Sequence, residues 1–255
     1  MGSQLQLRSR NTAAGDAQSE FDNATGETVT RYSTIILDED FVGPSHAAGA
    51  GIPTAATVGY PWIQKTVKTG GSPTLAAIAN ASGGIIRGAL DATSEKQEAT
   101  LYAADVLNWD MTKSTVMEWR LSNHVLPSAA AVEMAFGLHS VWIDGPDNAA
   151  FYADFQQLAS GAVNMRTKDG VQTLSFPTGV VMVADAFHIF RIDATDPTNV
   201  RFFIDNVEVS TRGQLSFAAT GANAILQPYF TVYKASGVGV GTFDLDMVQA
   251  GMNRS

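Results

Sequence analysis

The chain has 255 residues, 45% of them hydrophobic, and no cysteine, which excludes a disulfide scaffold, thiol catalysis and cysteine-based metal sites. Its 16 Lys and Arg against 25 Asp and Glu give a net charge of −9, which argues against nucleic-acid binding through a basic surface. The sequence has no apolar run of about 18 residues, so no membrane-spanning helix is predicted, and its N-terminal segment lacks the apolar stretch of a secretory signal.

Residues 1–33 differ in composition from the rest of the chain. Their few large apolar side chains are scattered without a period among Ser, Thr, Asn, Gln and Gly, so the segment cannot form a core by itself. Two alternatives remain: a disordered tail, or an extended arm that becomes ordered on a neighbouring subunit. In the second alternative the partner-contact residues are Leu5, Leu7, Arg8, Arg10 and Phe21.

Residues 34–255 are predicted to form one domain of short strands. Apolar or alternating runs are separated by turn residues at intervals of about ten, which is typical of an all-β sandwich or barrel. Residues 98–111 could alternatively hold one or two helical turns, and residues 42–59 form a long loop of small residues. The predicted strands are Thr34–Phe41, Pro61–Val67, Thr74–Ala79, Gly84–Leu90, Ala99–Ala103, Ser114–Ser122, Val132–Ile143, Ala150–Leu158, Ala162–Thr167, Val171–Ser175, Phe187–Ala194, Val200–Val209, Ile225–Ala235 and Gly241–Ala250.

Alternation orients the side chains of two segments. In residues 114–121, Met117, Trp119 and Leu121 share the predicted buried face, because successive strand residues point to opposite sides of a sheet. Residues 199–209 alternate in the same way and contain an Asp-Asn pair that tolerates the positive φ of a type I′ turn. This turn at Asp205-Asn206 is predicted to return Val207 and Val209 to the buried face. A second hairpin turn is predicted at residues 168–170.

Few residues suggest catalysis or metal binding. The acids at 38–40 and at Asp244 and Asp246 are predicted to lie on a solvated sheet face. The four histidines are widely spaced, so a zinc site lacks ligands, and His139 and His188 are predicted to be hydrogen-bonded interior or sheet-edge residues.

Nucleophile-elbow and phosphate-loop motifs are missing, and the alternating glycines at 236–241 are predicted to form a flexible turn. Five aromatic residues could stack on sugars, but such residues more often fill the core of a sandwich. They are Tyr60, Trp62, Trp109, Trp119 and Trp142.

Three stretches resemble the concanavalin A-like (laminin-G-like) jelly roll. They are Ile36-Leu-Asp-Glu-Asp-Phe-Val-Gly43, the central Phe190-Arg-Ile-Asp-Ala194 with the hairpin at 200–209, and Phe243-Asp-Leu-Asp-Met-Val248. The run Leu226-Gln-Pro-Tyr-Phe-Thr-Val-Tyr-Lys-Ala-Ser-Gly237 is similar to a strand and turn found in tailed-phage structural proteins of this fold. The resemblance implies an all-β, two-sheet antiparallel jelly-roll sandwich with an extended N-terminal arm, in which the first and last strands lie side by side.

The same fold hosts enzymes, and their motifs are missing here. Glucanases of the fold carry an E-x-D-x-x-E strand, and the nearest acids, Glu118 and Glu133, lack that spacing. The R-x-E-x-R and Q-I-H strands of alginate lyases are also missing, and residues 229–234 match their terminal Tyr-Lys motif only loosely. A non-enzymatic protein is therefore expected.

Together these observations predict a capsid decoration or cement protein of a tailed bacteriophage. Its partners would be the major capsid protein and further copies of itself in a homotrimer, on the virion surface after synthesis in the host cytoplasm. No cofactor, metal, nucleic-acid or membrane partner is expected. Two alternatives stay open: a glycan-binding module of a head or tail fibre, and a polysaccharide lyase or hydrolase with an unrecognised site.

Overall fold

The computed structural model describes residues 18–21, 28–31, 34–41, 52–56, 61–79, 81 and 84–253, and for residues 18–36 and 160 it describes the backbone alone. This part of the chain contains short 3-10 turns and no α-helix. Its strands, in chain order, are β1 Gln18–Phe21, β2 Thr28–Arg31, β3 Thr34–Glu39, β4 Ile63–Lys68, β5 Thr74–Ala77, β6 Ile86–Ala89, β7 Gln97–Tyr102, β8 Trp109–Asp110, β9 Thr115–Val125, β10 Val132–His139, β11 Tyr152–Gln157, β12 Ala162–Lys168, β13 Thr173–Val181, β14 His188–Ala194, β15 Arg201–Ile204, β16 Val207–Glu208, β17 Ile225–Lys234 and β18 Thr242–Asn253.

Two antiparallel sheets of eight strands form the sandwich. Sheet I has the order β13-β12-β11-β10-β17-β7-β4, with β8 also paired to β17. Sheet II has the order β16-β15-β14-β9-β18-β6-β5, with β3 also paired to β18. Since β3 and β18 are the first and last strands of the sandwich, their predicted adjacency is confirmed. The predicted all-β class with two antiparallel sheets is confirmed as well.

The core between the sheets is rich in aromatic side chains. Trp119 is fully buried, stacks on Phe190 with ring centroids 5.9 Å apart, and meets Phe155 and Phe230 edge-on. Its neighbours Met117 and Leu121 are also fully buried, so the predicted buried face of β9 is confirmed.

Three of the four tryptophans, at 62, 109 and 119, lie in this core as predicted. Trp142 does not: it is half-buried on the outer side of sheet I. Tyr60 lies outside the described residues.

The turn between β15 and β16 has the predicted form. Asp205 and Asn206 have φ values of 51° and 64°, as a type I′ hairpin requires. Val207 is nevertheless exposed, so its predicted return to the core is wrong. The reason is its position: β16 is a two-residue edge strand at the end of sheet II, and in the described part of the chain no further strand pairs with it. Val209 does pack against the core as expected.

Residues 98–111 contain no helix. Strand β7 ends at Tyr102, and Ala104 and Asp105 both have a φ of 60°, which no α-helix contains. Strand β8 begins at Trp109 and, like β7, pairs with β17. The helical alternative for this segment is therefore wrong, because pairing with β17 on both sides of the turn overrides a weak local pattern.

The acids predicted on a solvated face are paired. Asp244 is buried and accepts two hydrogen bonds of 2.7 Å from Arg87, while Asp246 pairs with Arg120. Both acids belong to the last strand of the sandwich and lie on the outer side of sheet II, the predicted face, but full solvation is wrong for Asp244, because the side chain of Arg87 covers it. Glu39 accepts a hydrogen bond of 2.9 Å from the backbone N–H of Phe41.

The N-terminal segment contributes a separate hairpin. Among the described strands, β1 and β2 pair with each other alone, in a two-stranded sheet that is distinct from both sheets of the sandwich. Phe21 ends β1, whereas Leu5, Leu7, Arg8 and Arg10 lie outside the described residues. The arm at 1–33 and its partner contacts therefore remain a prediction.

Candidate functional site

The outer side of sheet I carries a layer of polar and aromatic side chains, which we call the polar face. Their register places them on one side, since directly opposed residues of neighbouring strands share a face. The alternate residues of the same strands fill the core. The polar face consists of Glu98, Thr100 and Tyr102 of β7; Gln227, Tyr229, Thr231 and Tyr233 of β17; Glu133 and His139 of β10; Tyr152, Asp154 and Gln156 of β11; and Asn164, Arg166 and Lys168 of β12.

Residues 140–151, the connection between β10 and β11, fold back across this face, and we call them the strap. The indole N–H of Trp142 donates to Glu98 at 2.8 Å, and the backbone N–H of Gly145 donates to the same carboxylate at 3.3 Å. Asp144 pairs with Lys96, and Asp147 pairs with Arg166. The strap therefore spans sheet I from β7 to β12, and it explains why many polar side chains beneath it are buried.

Asp154 is the centre of a buried ionic network under the strap. It is 0% exposed and accepts two bonds from Arg166, of 2.8 and 2.7 Å, and one of 2.8 Å from Nε2 of His139. The imidazole of His139 also stacks on Tyr229, with ring centroids 4.2 Å apart. His139 is thus the hydrogen-bonded interior histidine that the sequence predicted.

The surroundings determine the ionisation of these groups. Burial opposes the charge of Asp154, but the charge of Arg166 and the bond from His139 outweigh it and lower the pKa of Asp154. Burial lowers the pKa of His139 despite the neighbouring carboxylate, so the ring is neutral and donates from Nε2. Its Nδ1 is buried without a hydrogen-bond partner among the described residues. Burial also raises the pKa of Tyr152 to about 12.

Glu133 and Asp147 form an acid pair at the open edge of the strap. Nε2 of Gln156 donates to Glu133 at 2.7 Å and contacts Asp147 at 3.5 Å, so one amide links the two carboxyl groups. Burial, followed by the charge of Asp147, raises the pKa of Glu133 to about 7. The Asp147 carboxylate is 58% exposed and paired with Arg166. Two carboxyl groups in different environments, one of them with a raised pKa, thus share one amide neighbour.

Other accessible polar side chains border this pair. Tyr233 lies directly opposite Glu133 across the β10–β17 pair, and Asn164 lies opposite Gln156 across the β11–β12 pair. Both are half-buried and so partly open to solvent. We call Glu133, Asp147, Gln156, Asn164 and Tyr233 the open strip.

Glu133 lacks the spacing of the glucanase strand motif, and no motif in the sequence singles out the other members of the open strip. A usable signal was present: Tyr152-Ala-Asp-Phe-Gln places three polar residues on one side of β11, and Asn164, Arg166 and Lys168 repeat the pattern on β12. A strand that is apolar on one side and rich in hydrogen-bonding groups on the other indicates a polar outer face. Asp147 reaches this face only because the strap folds across the sheet, and no sequence motif predicts that path.

Two of the remaining histidines lie beside aspartates. Nδ1 of His188 lies 2.6 Å from Asp205, which confirms a hydrogen-bonded residue near the sheet edge, and Nδ1 of His124 lies 2.7 Å from Asp185. His46 lies outside the described residues. Within the described ranges no three His, Asp or Glu side chains are grouped to hold a metal ion, and no helix there is long and apolar enough to cross a membrane.

Solved structures match this protein in fold, whereas comparisons of its sequence give no match. No protein-family model matches the chain, and no curated protein matches its sequence. Among solved structures, a protein of unknown function from Shewanella oneidensis MR-1 matches with a TM-score of 0.57 at 8% identity, covering 87% of both chains. An endo-1,3-beta-glucanase from Streptomyces sioyaensis matches with a TM-score of 0.56 at 13% identity, covering 89% of this chain and 99% of its own. The carbohydrate recognition domain of Emp47p matches with a TM-score of 0.51 at 13% identity, covering 84% of this chain and 97% of its own.

These neighbours confirm the concanavalin A-like jelly-roll sandwich. They include a carbohydrate recognition domain and a glycan-cleaving enzyme. The prediction that the protein is not an enzyme is contradicted. It was based on missing motifs, whereas a glucanase shares the fold and the polar face of this chain carries an acid pair outside those motifs. The assignment to a phage remains a prediction.

Proposed function

We propose that this protein is a glycan-directed jelly roll that binds carbohydrate at the open strip of the polar face. The observation that carries the proposal is the composition of the strip: two carboxyl groups, two amides and one tyrosine ring meet at a surface that the strap leaves accessible. Sugars present hydroxyl groups at their edges and C–H groups on their faces. Carboxylates and amides hydrogen-bond the former, and an aromatic ring contacts the latter.

The rigidity of the surroundings supports recognition at this place. Gln156 is 8% exposed, and its orientation is determined by the bonds of its amide nitrogen to both acids. Arg166 beneath it is tied to Asp154 and Asp147, and its guanidinium lies 4.8 Å from the ring centroid of Tyr152. Side chains held in this way lose little conformational freedom when a ligand binds, which favours affinity.

Isothermal titration calorimetry and affinity electrophoresis with a panel of polysaccharides test the proposal. The panel contains β-1,3-glucan, mixed-linkage β-glucan, xylan, dextran and, as an anionic member, alginate. We expect saturable binding of at least one member, weakened about tenfold or more by Tyr233→Ala and by Asn164→Ala. Gln249→Ala, at an exposed position on the outer side of sheet II, is the control and should bind like the parent. Failure to bind any member, or equal binding by all variants, would overturn the proposal.

A virion role is proposed as a second candidate, in which residues 1–33 attach the jelly roll to a phage capsid as a homotrimer. It is supported by the β1–β2 hairpin, which pairs with no strand of the sandwich in the described part of the chain. Light scattering of the full chain and of a variant lacking residues 1–33 tests the oligomer. We expect a trimeric mass that falls to the monomer without the arm, and an unchanged mass would refute the role of the arm. Binding to the major capsid protein is measured on assembled capsids by co-sedimentation.

A further inference from the structure

We propose that Glu98 controls whether the strap is closed: its neutral form holds residues 140–151 against sheet I, and its ionisation releases them. Two of the donors that reach Glu98 belong to the strap, and the carboxyl group they meet is buried. Release of the strap uncovers the polar face beside the open strip. The inference therefore rests on the proposed glycan binding and adds its control by pH.

The strap has the construction of a loop that is closed at its neck. There the backbone N–H of Ser140 donates to the carbonyl group of Phe151 at 2.9 Å. In the described part of the chain, no backbone–backbone hydrogen bond joins residues 141–150 to a strand. Val141 and Ile143 are 52% and 44% exposed, so they add little apolar burial to closure. Such a loop moves as a unit while the strands beneath it stay paired.

The Glu98 carboxyl group is the place where the strap meets β7. It is 0% exposed, and among the described residues it forms no ion pair. The indole N–H of Trp142 donates to its Oε1 at 2.8 Å, and the backbone N–H of Gly145 donates to its Oε2 at 3.3 Å. Burial of an ionised carboxylate without a cation is costly. Burial accordingly outweighs these hydrogen bonds and raises the pKa of Glu98.

A chain of hydroxyl groups accommodates the proton of neutral Glu98. Oγ1 of Thr100 lies 2.6 Å from Oε1 of Glu98 and 2.6 Å from Oγ1 of Thr231. The Thr231 hydroxyl donates in turn to the carbonyl oxygen of Ala99 at 3.4 Å. Because a hydroxyl group both donates and accepts, the acid proton is passed to Thr100 as one hydrogen bond in this chain. Oε2 still accepts from Gly145, so the neutral acid ties down the strap without a buried charge.

The charged groups around Glu98 favour its neutral form while the strap is closed. The charge of Asp144, which stands on the strap and pairs with Lys96, raises the pKa of Glu98 further. Asp105 accepts from the backbone N–H of Trp142 at 2.6 Å, and Nζ of Lys65 lies 4.6 Å from the ring centroid of that residue. Three tyrosines complete the surroundings and stay neutral, because their pKa values are raised above 10.0: Tyr102, Tyr229 and Tyr233.

Proton linkage sets the direction of the switch. In the closed strap the pKa of Glu98 is above the ordinary 4.5, whereas in the released strap the carboxyl group meets water and its pKa returns toward that value. Protonation therefore favours the closed strap, and ionisation favours release. Two further acceptors, Nδ1 of His139 and Oδ1 of Asp144, are buried without a partner among the described residues, and release lets water reach them. The strap is closed in acid and opens as the pH rises through the raised pKa.

Acrylamide quenching of tryptophan fluorescence between about pH 4 and pH 8 tests the switch. Trp142 reports on the strap, because the other three tryptophans are at most 5% exposed. Quenching should rise with pH in one transition whose midpoint lies above 4.5, and Trp142→Phe should abolish the signal. Glu98→Gln replaces the acid by a neutral amide of the same size, so its quenching should stay at the low-pH level of the parent throughout.

Glu118→Gln and Glu133→Gln are the matched controls. Glu118 pairs with Arg191 on the outer side of sheet II. Glu133 has a pKa raised to about 7, but among the described residues its hydrogen bond is to Gln156 and not to the strap. Both variants should keep the transition of the parent. Its persistence in Glu98→Gln, its loss in Glu133→Gln, or quenching that falls as the pH rises would overturn the switch. A change in circular dichroism at the same midpoint would overturn it too, because that change reports unfolding of the sandwich.

Calorimetry with a polysaccharide that binds in the panel above tests the control of glycan binding. The parent should bind more tightly above the midpoint than below it, by up to about tenfold for each unit by which the pKa of Glu98 is raised. Glu98→Gln should keep the low-pH affinity at every pH. Equal affinity across the transition overturns the control by pH and leaves glycan binding in place. If no member of the panel binds, the proposed function is overturned, and the quenching of Trp142 still supports or overturns the strap switch.

Discussion

Substitution of Asp154 tests whether the polar face is held together by its buried ionic network. In Asp154→Asn the side chain keeps its size but loses its charge and most of its ability to accept from Arg166. Arg166 then keeps its partner Asp147 and its contact with the ring of Tyr152. Its side chain is only 4% exposed, however, and it loses the neutralising charge and one of its two hydrogen bonds to position 154. His139 loses its acceptor as well.

The magnitude follows from this loss of partners. Removing one member of a buried ion pair costs about 3–5 kcal/mol, because the other charge remains away from water. The remaining Asp147 partner offsets part of this cost, so we expect about 3 kcal/mol in the free energy of unfolding. For a domain of this size the melting temperature should fall by roughly 6–12 °C. The matched control is Asp246→Asn, whose partner Arg120 is 42% exposed, and it should cost about 0–1 kcal/mol.

Urea unfolding followed by tryptophan fluorescence measures both variants. The effect has a defined pH dependence, because the pKa of Asp154 is lowered in the folded state. The stability that the native carboxylate contributes is present above the unfolded pKa of about 3.9 and is lost as the pH falls through the folded value. The difference between parent and Asp154→Asn should therefore be full at pH 7 and shrink below about pH 4. A loss at pH 7 no larger than that of Asp246→Asn would refute the reasoning.

Three further predictions concern the core, the acid pair and a turn. Trp119→Ala should lower the free energy of unfolding by about 3–5 kcal/mol in chemical denaturation, since it empties the centre of the sandwich, and a loss under about 1 kcal/mol would contradict the packing. Because the pKa of Glu133 is raised to about 7, the folded state loses stability as the pH rises from the unfolded value through 7. Glu133→Gln should therefore gain about 2–3 kcal/mol on the parent protein between pH 5 and pH 8, and parallel stability curves would refute the raised pKa. Asn206→Val should cost about 1–2 kcal/mol because a β-branched residue resists the φ of 64°, whereas Asn206→Gly should be tolerated, and equal melting temperatures would exclude the type I′ turn.

The sequence by itself determined the fold class, most strand positions and one buried face. Alternation is a local property. Large apolar side chains stand at every second position, Met117, Trp119 and Leu121, and when they are buried the residues between them must point away from the core, in any strand order. The turn at Asp205-Asn206 is local as well, since positive φ depends on the residue type. The resemblance of the first and last strands to a jelly roll placed β3 beside β18 correctly.

Tertiary structure alone decided the candidate site. Glu133, Asp147 and Gln156 come from β10, the strap and β11, and a strap that crosses an entire sheet leaves no periodic trace in the sequence. Val207 is exposed because its strand, β16, lies at the edge of sheet II. That position depends on the order of the strands in the sheet and not on the hairpin itself. Ionisation is the clearest case: Glu118 and Glu133 look alike in the sequence, but Glu118 pairs with Arg191, whereas burial beside Asp147 raises the pKa of Glu133. Solvent access and neighbouring charges determine what an acid can do, and both are fixed only when the sheets, the strap and the core have come together.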